Sequence, residues 1–214
     1  LTRIVADLVG WDLIHYNDAD ENKRSYSLSL FSQVCKKNGV VHLHSAPSPM
    51  LIASAISVST GVIILRRNFI EYCHSLLAHI ERGHPTLLKN KLQSLNKYDA
   101  LKFIAFQEFG WVFRFTEQWG AYSERIIKDD GEKFIKIIDH SELFSNTELI
   151  VSECLIHSGF KADALQINDV IHNTKKDYKK SNFHQTKFYY DEAVEYEFFK
   201  EMKKLAPKLF YTIE

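Results

Sequence analysis

Gly61-Val62-Ile63-Ile64-Leu65-Arg66-Arg67-Asn68-Phe69-Ile70-Glu71-Tyr72-Cys73-His74-Ser75 decides how the rest of the chain is read. Val62 to Leu65 is an unbroken apolar run, mostly β-branched, with no polar alternation. A strand covered on both faces needs such a run, and strands of that kind belong to parallel sheets with helices packed on them. Two arginines end the run. Asn68 is then a strong N-cap, and Glu71 stands three residues on, at capping-box spacing. Phe69, Tyr72, Cys73, Leu76 and Ile80 share one stripe, which predicts a helix from Phe69 to about Glu81, stopped by Gly83 and Pro85.

The flanking sequence extends this pattern in both directions. Upstream, residues 2–9 read as the tail of a helix with Gly10 as its stop, and 27–37 as a second helix ending before Gly39. Val40 to His44 reads as a short strand, followed by a turn at Pro47 and Pro49 and a brief helix from Met50 to Ile56. Downstream, Asp99 is expected to cap a long helix through Trp119, with 121–127 continuing it. Phe134 to Ile138 is a third strand, and Thr147 to Ser158 a helix stopped by Gly159. Residues 172–187 read as a polar, basic loop, and Asp191 to Leu205 as an amphipathic helix ended before Pro207. The order predicts an α/β fold, a parallel sheet flanked by helices, as one domain over 1–214. Seven aromatics, Phe103, Phe106, Phe109, Trp111, Phe113, Phe115 and Trp119, fall around most of the long helix. They predict burial on several sides or the border of an apolar cavity.

Composition narrows the function. The 214 residues hold 27 Lys+Arg against 27 Asp+Glu, with 45% hydrophobic residues, eight glycines and four prolines. Such a chain is not disordered or collagen-like. Zero formal charge argues against a general nucleic-acid binder. The apolar stretch from Pro49 to Leu65 is interrupted by Ser54, Ser57, Ser59, Thr60 and Gly61, where a membrane span needs ~20 mostly apolar residues. No transmembrane segment is expected. Cys35, Cys73 and Cys154 are far apart and form no CxxC pair, which fits buried thiols in a reducing, cytoplasmic setting.

Two places carry chemistry. Arg67 follows a buried strand and precedes a helix N-terminus, where a guanidinium can clamp a phosphate in bidentate fashion. Ser75 lies two turns along the face of Asn68 and Glu71 and could donate to the same anion. A solvent-facing arginine and serine is the plain alternative. His42 and His44 share one face of their strand. They could ligate a metal, act as acid and base near neutral pH, or serve as ordinary strand histidines.

Arg67-Asn68-x-x-Glu71-x-x-x-Ser75 resembles the R-N-P-x-D-x-x-x-S segment of sulfotransferases that use 3′-phosphoadenosine 5′-phosphosulfate, with Phe69 for the proline and Glu71 for the aspartate. The resemblance covers roughly residues 1–160. It implies a P-loop nucleotide-kinase-like fold in which Arg67 and Ser75 bind the 3′-phosphate of the nucleotide. Val41-His42-Leu43-His44-Ser45 with Pro47 resembles the family's K-T-H-x-P segment. His44 then takes the general-base position and His42 that of the lysine which steadies the transferring sulfuryl group. His140-Ser141-Glu142-Leu143 resembles Y-E-D-L, placing His140 near the adenine. Phe113 to Trp119 resembles the family helix bearing a tryptophan. The family's phosphate loop, like P-x-S-G-T-T-x-L, has no counterpart in these residues. Leu1 to Leu8 resembles the helix that follows it, which implies roughly 20 upstream residues with a strand and loop.

The implied activity is transfer of a sulfuryl group from 3′-phosphoadenosine 5′-phosphosulfate to a hydroxyl on a small molecule, sugar or lipid, with no nucleic-acid partner and no metal. The aromatic helix would suit an apolar acceptor. A non-catalytic nucleotide-binding or assembly module of the same fold is the alternative, favoured by His42 standing in place of lysine. A metal-dependent hydrolase using His42 and His44 is a third.

Overall fold

The computed structural model describes residues 1–15, 39–42, 45–57, 61–82, 89–92, 94–128, 131–180 and 196–210. In chain order the described elements begin with helix α1 (Thr2–Val9), strands β1 (Asp12–His15) and β2 (Gly39–His42), helix α2 (Pro49–Ser57), strand β3 (Val62–Arg66) and helix α3 (Phe69–Glu81). They continue with helices α4 (Lys89–Leu92) and α5 (Lys97–Arg125), strand β4 (Ile135–Asp139) and helices α6 (His140–Ser145), α7 (Thr147–His157), α8 (Ala164–Lys180) and α9 (Glu197–Leu205), closed by a 3-10 turn at Pro207–Phe210. The chain is mixed α/β, with small parallel sheets flanked by helices, and forms two compact units.

The α/β unit comprises Leu1–Arg66 and Gln118–His184. Gly10 adopts the left-handed conformation (φ 68°) that ends α1 and turns the chain into β1. β1 and β2 pair in parallel from Asp12↔Gly39 to His15↔His42. β3 and β4 pair in parallel from Val62↔Ile135 to Arg66↔Asp139. Ile4 and Val5 of α1, Ile138 of β4, Ile150, Val151, Cys154 and Leu155 of α7, and Ile167 and Ile171 of α8 form one buried cluster. Each buried Ile, Val or Leu among them contributes roughly 1.5–3 kcal/mol on leaving water. Gly61, at the head of β3, has no side chain for a reason: a Cβ there would lie 2.7 Å from the His157 ring and 2.8 Å from its carbonyl oxygen.

The helical unit comprises Arg67–Glu117 and Gln185–Glu214. α3 presents Phe69, Cys73, Leu77 and Ile80 inward at helical spacing. They pack with Leu101, Ile104 and Ala105 of α5, Phe198, Phe199 and Met202 of α9, and Leu209 and Phe210.

The predicted strands at 61–65 and 134–138 and the helices at 2–9, 50–56, 69–81 and 147–158 match the structure within a residue or two. Three readings need correction. β1 had no counterpart in the sequence reading. Residues 172–180, taken as loop, are the end of α8. α5 begins at Lys97, and its cap is Asn96, whose Oδ1 accepts the Asp99 N–H at 2.9 Å. Of the aromatics of α5, Trp119 is 3% exposed and Phe106 62%. The predicted helix at 27–37 lies outside the described residues.

Candidate phosphate-binding turn and strand ends

The strand-to-helix turn forms as its sequence dictates. β3 ends at Arg66, Arg67 follows half-buried, and Asn68 caps α3 by accepting the Ile70 N–H on its Oδ1 at 2.9 Å. The Tyr72 N–H donates to the Asn68 carbonyl at 2.9 Å, so the helical ladder starts at the cap. Glu71 is exposed in the first turn, and Ser75 is half-buried in the second, seven residues beyond Asn68 and hence on the same side of the helix. The segment therefore carries an arginine just before the cap, a positive helix end and a hydroxyl two turns along, residue types that suit a phosphate.

The histidines fare differently. His42 is the last residue of β2, and its backbone pairs with His15; its side chain lies outside the described part of the chain. His44 lies outside the described residues. Immediately beyond it, the buried Ser45 carbonyl accepts the indole Nε1–H of Trp119 at 3.1 Å, so this turn is tied to the end of α5. His140 opens α6 and sets its ring edge-on to Phe144, with centroids 4.8 Å apart. β2 and β3 belong to separate two-stranded sheets.

Two features escaped the sequence reading. At the carboxyl ends of β3 and β4, Arg66 grips Asp139 with two hydrogen bonds, Nε to Oδ1 and Nη2 to Oδ2, the latter at 3.0 Å. In the helical unit, Glu108 is 5% exposed and accepts the Tyr72 hydroxyl at 2.8 Å. The first depends on strand register, which a single sequence does not display. The second had a faint signal in one acidic residue amid the aromatics of α5.

Other reactive groups are quenched by burial. Burial, helped by Glu108, pushes the Cys73 thiol well above its usual range, and burial raises Cys154 to about 11. Neither is a nucleophile near neutral pH. Burial and then Lys128 lower the His157 pKa, against the opposing pull of its bond to the Phe134 carbonyl. That carbonyl can only accept, so Nε2 carries the proton, at 3.0 Å. A hollow of about 450 Å³ lies beside it, lined by Ser123, Glu124, Lys133, Lys136, Ile137 and His157 among others. It adjoins the amino-terminal half of β4, whereas parallel α/β sheets take ligands at carboxyl ends. The strand ends remain the better candidate.

No protein-family model matches the sequence, and no curated protein matches it. Among solved structures, the chain is similar to mouse sulfotransferase SULT7A1 complexed with PAP, with a TM-score of 0.52 and 14% identity over 84% of this chain and 71% of that one. The likeness shows a sulfotransferase-like α/β fold. No described helix is long and apolar enough to cross a membrane.

Proposed function

We propose that the protein binds 3′-phosphoadenosine 5′-phosphosulfate and transfers its sulfuryl group to an acceptor hydroxyl. The observation that carries this reading is the turn from β3 into α3, where Arg67 follows a sheet strand, Asn68 caps the helix, and Ser75 lies on the same helix side. The similarity to a PAP-bound sulfotransferase supports it. Arg67 and Ser75 hold the 3′-phosphate, and His140 lies near the adenine. His44 takes the acceptor proton as the acceptor oxygen bonds to sulfur. The bond from sulfur to the 5′-phosphate oxygen breaks, and adenosine 3′,5′-bisphosphate leaves with those electrons. His42 supports the transferring group as a hydrogen-bond donor. The acceptor is a small molecule, sugar or lipid, and two buried free thiols suit a reducing compartment such as the cytoplasm.

The test is isothermal titration of the protein with adenosine 3′,5′-bisphosphate. A charge-assisted hydrogen bond contributes about 1.5–3 kcal/mol, so Arg67→Ala is expected to weaken binding roughly ten- to a hundredfold. No binding by the wild type, or equal affinity in the variant, overturns the reading. Binding without sulfuryl transfer to any hydroxyl would leave a nucleotide-binding module, the outcome that His42 in place of lysine favours.

A further inference from the structure

We propose that the outer edge of β4, with the hollow beside it, binds a short peptide whose amino and carboxyl termini are both charged. The site lies wholly within the α/β unit and is independent of the nucleotide reading. Among the described strands, β4 is paired on one side only. The Val62 N–H donates to the Phe134 carbonyl at 3.1 Å, and the parallel register runs on from Val62↔Ile135. Along a strand, the peptide groups of alternate residues face the same neighbour. Those of Lys136 and Ile138 therefore face β3, and those of Ile135 and Ile137 face away from it. The Asp139 N–H also faces outward and is taken by Glu142 Oε2 at 3.4 Å, so the open stretch ends there.

The hollow runs along that stretch. It touches Ile135, Lys136 and Ile137 in succession, whose side chains alternate between faces, so it follows the strand's edge rather than one face. Its volume of about 450 Å³ falls within the roughly 300–1,000 Å³ of small-ligand clefts. Ile135 and Ile137 give it an apolar wall, and an extended main chain laid beside them meets donors and acceptors at strand spacing. The surround is braced. Glu132 and Lys133 are held by a bridge between Ile127 and Lys133 and by the Lys128 N–H on the Glu132 carbonyl at 2.7 Å. Lys128 Nζ also donates to the His157 carbonyl at 2.8 Å.

Charge decides the class of ligand. The lining sets Lys133 and Lys136 against Glu124 and Glu132, cations and anions in equal number. Lys133 is held by Glu124 at 2.6 Å and Lys136 by Glu153 at 2.9 Å. An ammonium has three donors and a carboxylate several acceptor positions, so each pair can take a further opposite charge without breaking. The charges that act on the His157 ring are Lys128 and Lys136, both cationic. A terminal carboxylate therefore fits at Lys136, on the His157 side, and the terminal ammonium goes to Glu124 and Glu132. A second copy of β4 is a poorer occupant. Antiparallel pairing that matches Ile135 with Ile137 sets Lys136 opposite Lys136.

The experiment follows NMR shifts and amide exchange of the whole chain titrated with the dipeptide leucyl-alanine, alongside its N-acetyl and C-terminal amide forms. The free dipeptide should give saturable shifts and protect the Ile135 and Ile137 amides. Those of Lys136 and Ile138, already bonded to β3, should keep their rates. Each capped form lacks one charge and should bind more weakly. Lys136→Gln should weaken binding roughly tenfold or more, and Glu124→Gln, at the exposed rim, roughly two- to fivefold. Should Lys136→Gln fail to fold, Glu124→Gln and the capped forms carry the same test. Absence of saturable shifts overturns the site. Binding that leaves Ile135 and Ile137 exchange unchanged defeats the edge pairing and the proposal with it. A capped form that binds as tightly as the free dipeptide, or a Lys136→Gln variant with wild-type affinity, overturns the charge reading. Protection of the same amides by raised protein concentration alone would give the edge to a second copy, which also overturns the proposal.

Discussion

Both units bury an apolar cluster, but they differ in the contacts added to it. In the α/β unit, directional bonds add to burial: two parallel ladders, the Arg66–Asp139 fork, and a Lys136–Glu153 ion pair at 2.9 Å. In the helical unit, ring packing is the main addition. Phe69 is fully buried, with its ring 5.5 Å from Phe210, 5.6 Å from Phe109 and 6.1 Å from Phe199 by centroids. Directional bonds hold a donor at a fixed place and angle, as a ligand site requires. Aromatic burial is strong but tolerates small shifts. The contrast predicts that the helical unit is most sensitive to lost volume, and the α/β unit to lost or crowded geometry.

Phe69→Ala should break the first half of that contrast with the largest effect. Deleting a fully buried phenyl ring costs about 3–5 kcal/mol, and Phe69→Leu should cost clearly less. Chemical denaturation of the two variants provides the check. A penalty for Phe69→Ala no larger than that of an exposed position such as Phe106→Ala would mean that the cluster does not hold the unit together.

In the α/β unit the sharpest probe adds volume. Gly61→Ala places a methyl 2.7 Å from the His157 ring and 2.8 Å from its carbonyl oxygen, so one of them must move. Such overpacking costs about 1–3 kcal/mol. Adding His157→Ala removes the ring but leaves the carbonyl, so it should restore stability in part. Full additivity of the two losses in denaturant melts would show that the ring is not what Gly61 accommodates.

A smaller effect is expected where one hydrogen bond is removed and the shape nearly kept. Trp119→Phe takes the indole donor from the buried Ser45 carbonyl, at about 1 kcal/mol for the bond alone, with a further loss from the smaller ring. Hydrogen exchange in the segment after Ser45 should rise with it. Unchanged exchange there would mean that the tryptophan packs without anchoring the turn.

Much of the fold was legible because its signals are local. Val62 to Leu65 spells a strand by itself, and Asn68 with Glu71 spells a helix start whatever surrounds it. β1 was illegible for the converse reason: Asp12-Leu13-Ile14-His15 is short, flanked by polar ends, and becomes a strand by pairing with residues 39–42. The end of α8 was misread because its polarity suggested a loop. Ile167 and Ile171 bury the start of that helix, and lysine-rich turns continue it at little expense. At the candidate site the same rule holds. Arg67 could be picked out from its neighbours in sequence, whereas the Arg66–Asp139 fork joins residues 73 positions apart and depends on register.

The smallest expected effect is a slope with pH, and it tests whether the two units share a liability despite their different construction. Among the described residues, each holds one histidine whose pKa burial lowers: His157 in the α/β unit, with Lys128 adding to the shift, and His74 in the helical unit, with Lys97 adding to it. An unfolded histidine titrates near 6.5, so below that pH the unfolded chain binds protons that the folded one refuses. The associated stability is fully present above about 6.5 and is lost as pH falls through the lower folded values. Denaturant midpoints should therefore decline from pH 7 to pH 5. His157→Gln and His74→Gln should each flatten the decline, and the double variant should flatten it further. A midpoint that rises on acidification, or a slope that neither variant changes, would show that these rings accept a proton in place, and that burial in the two units is looser than their packing indicates.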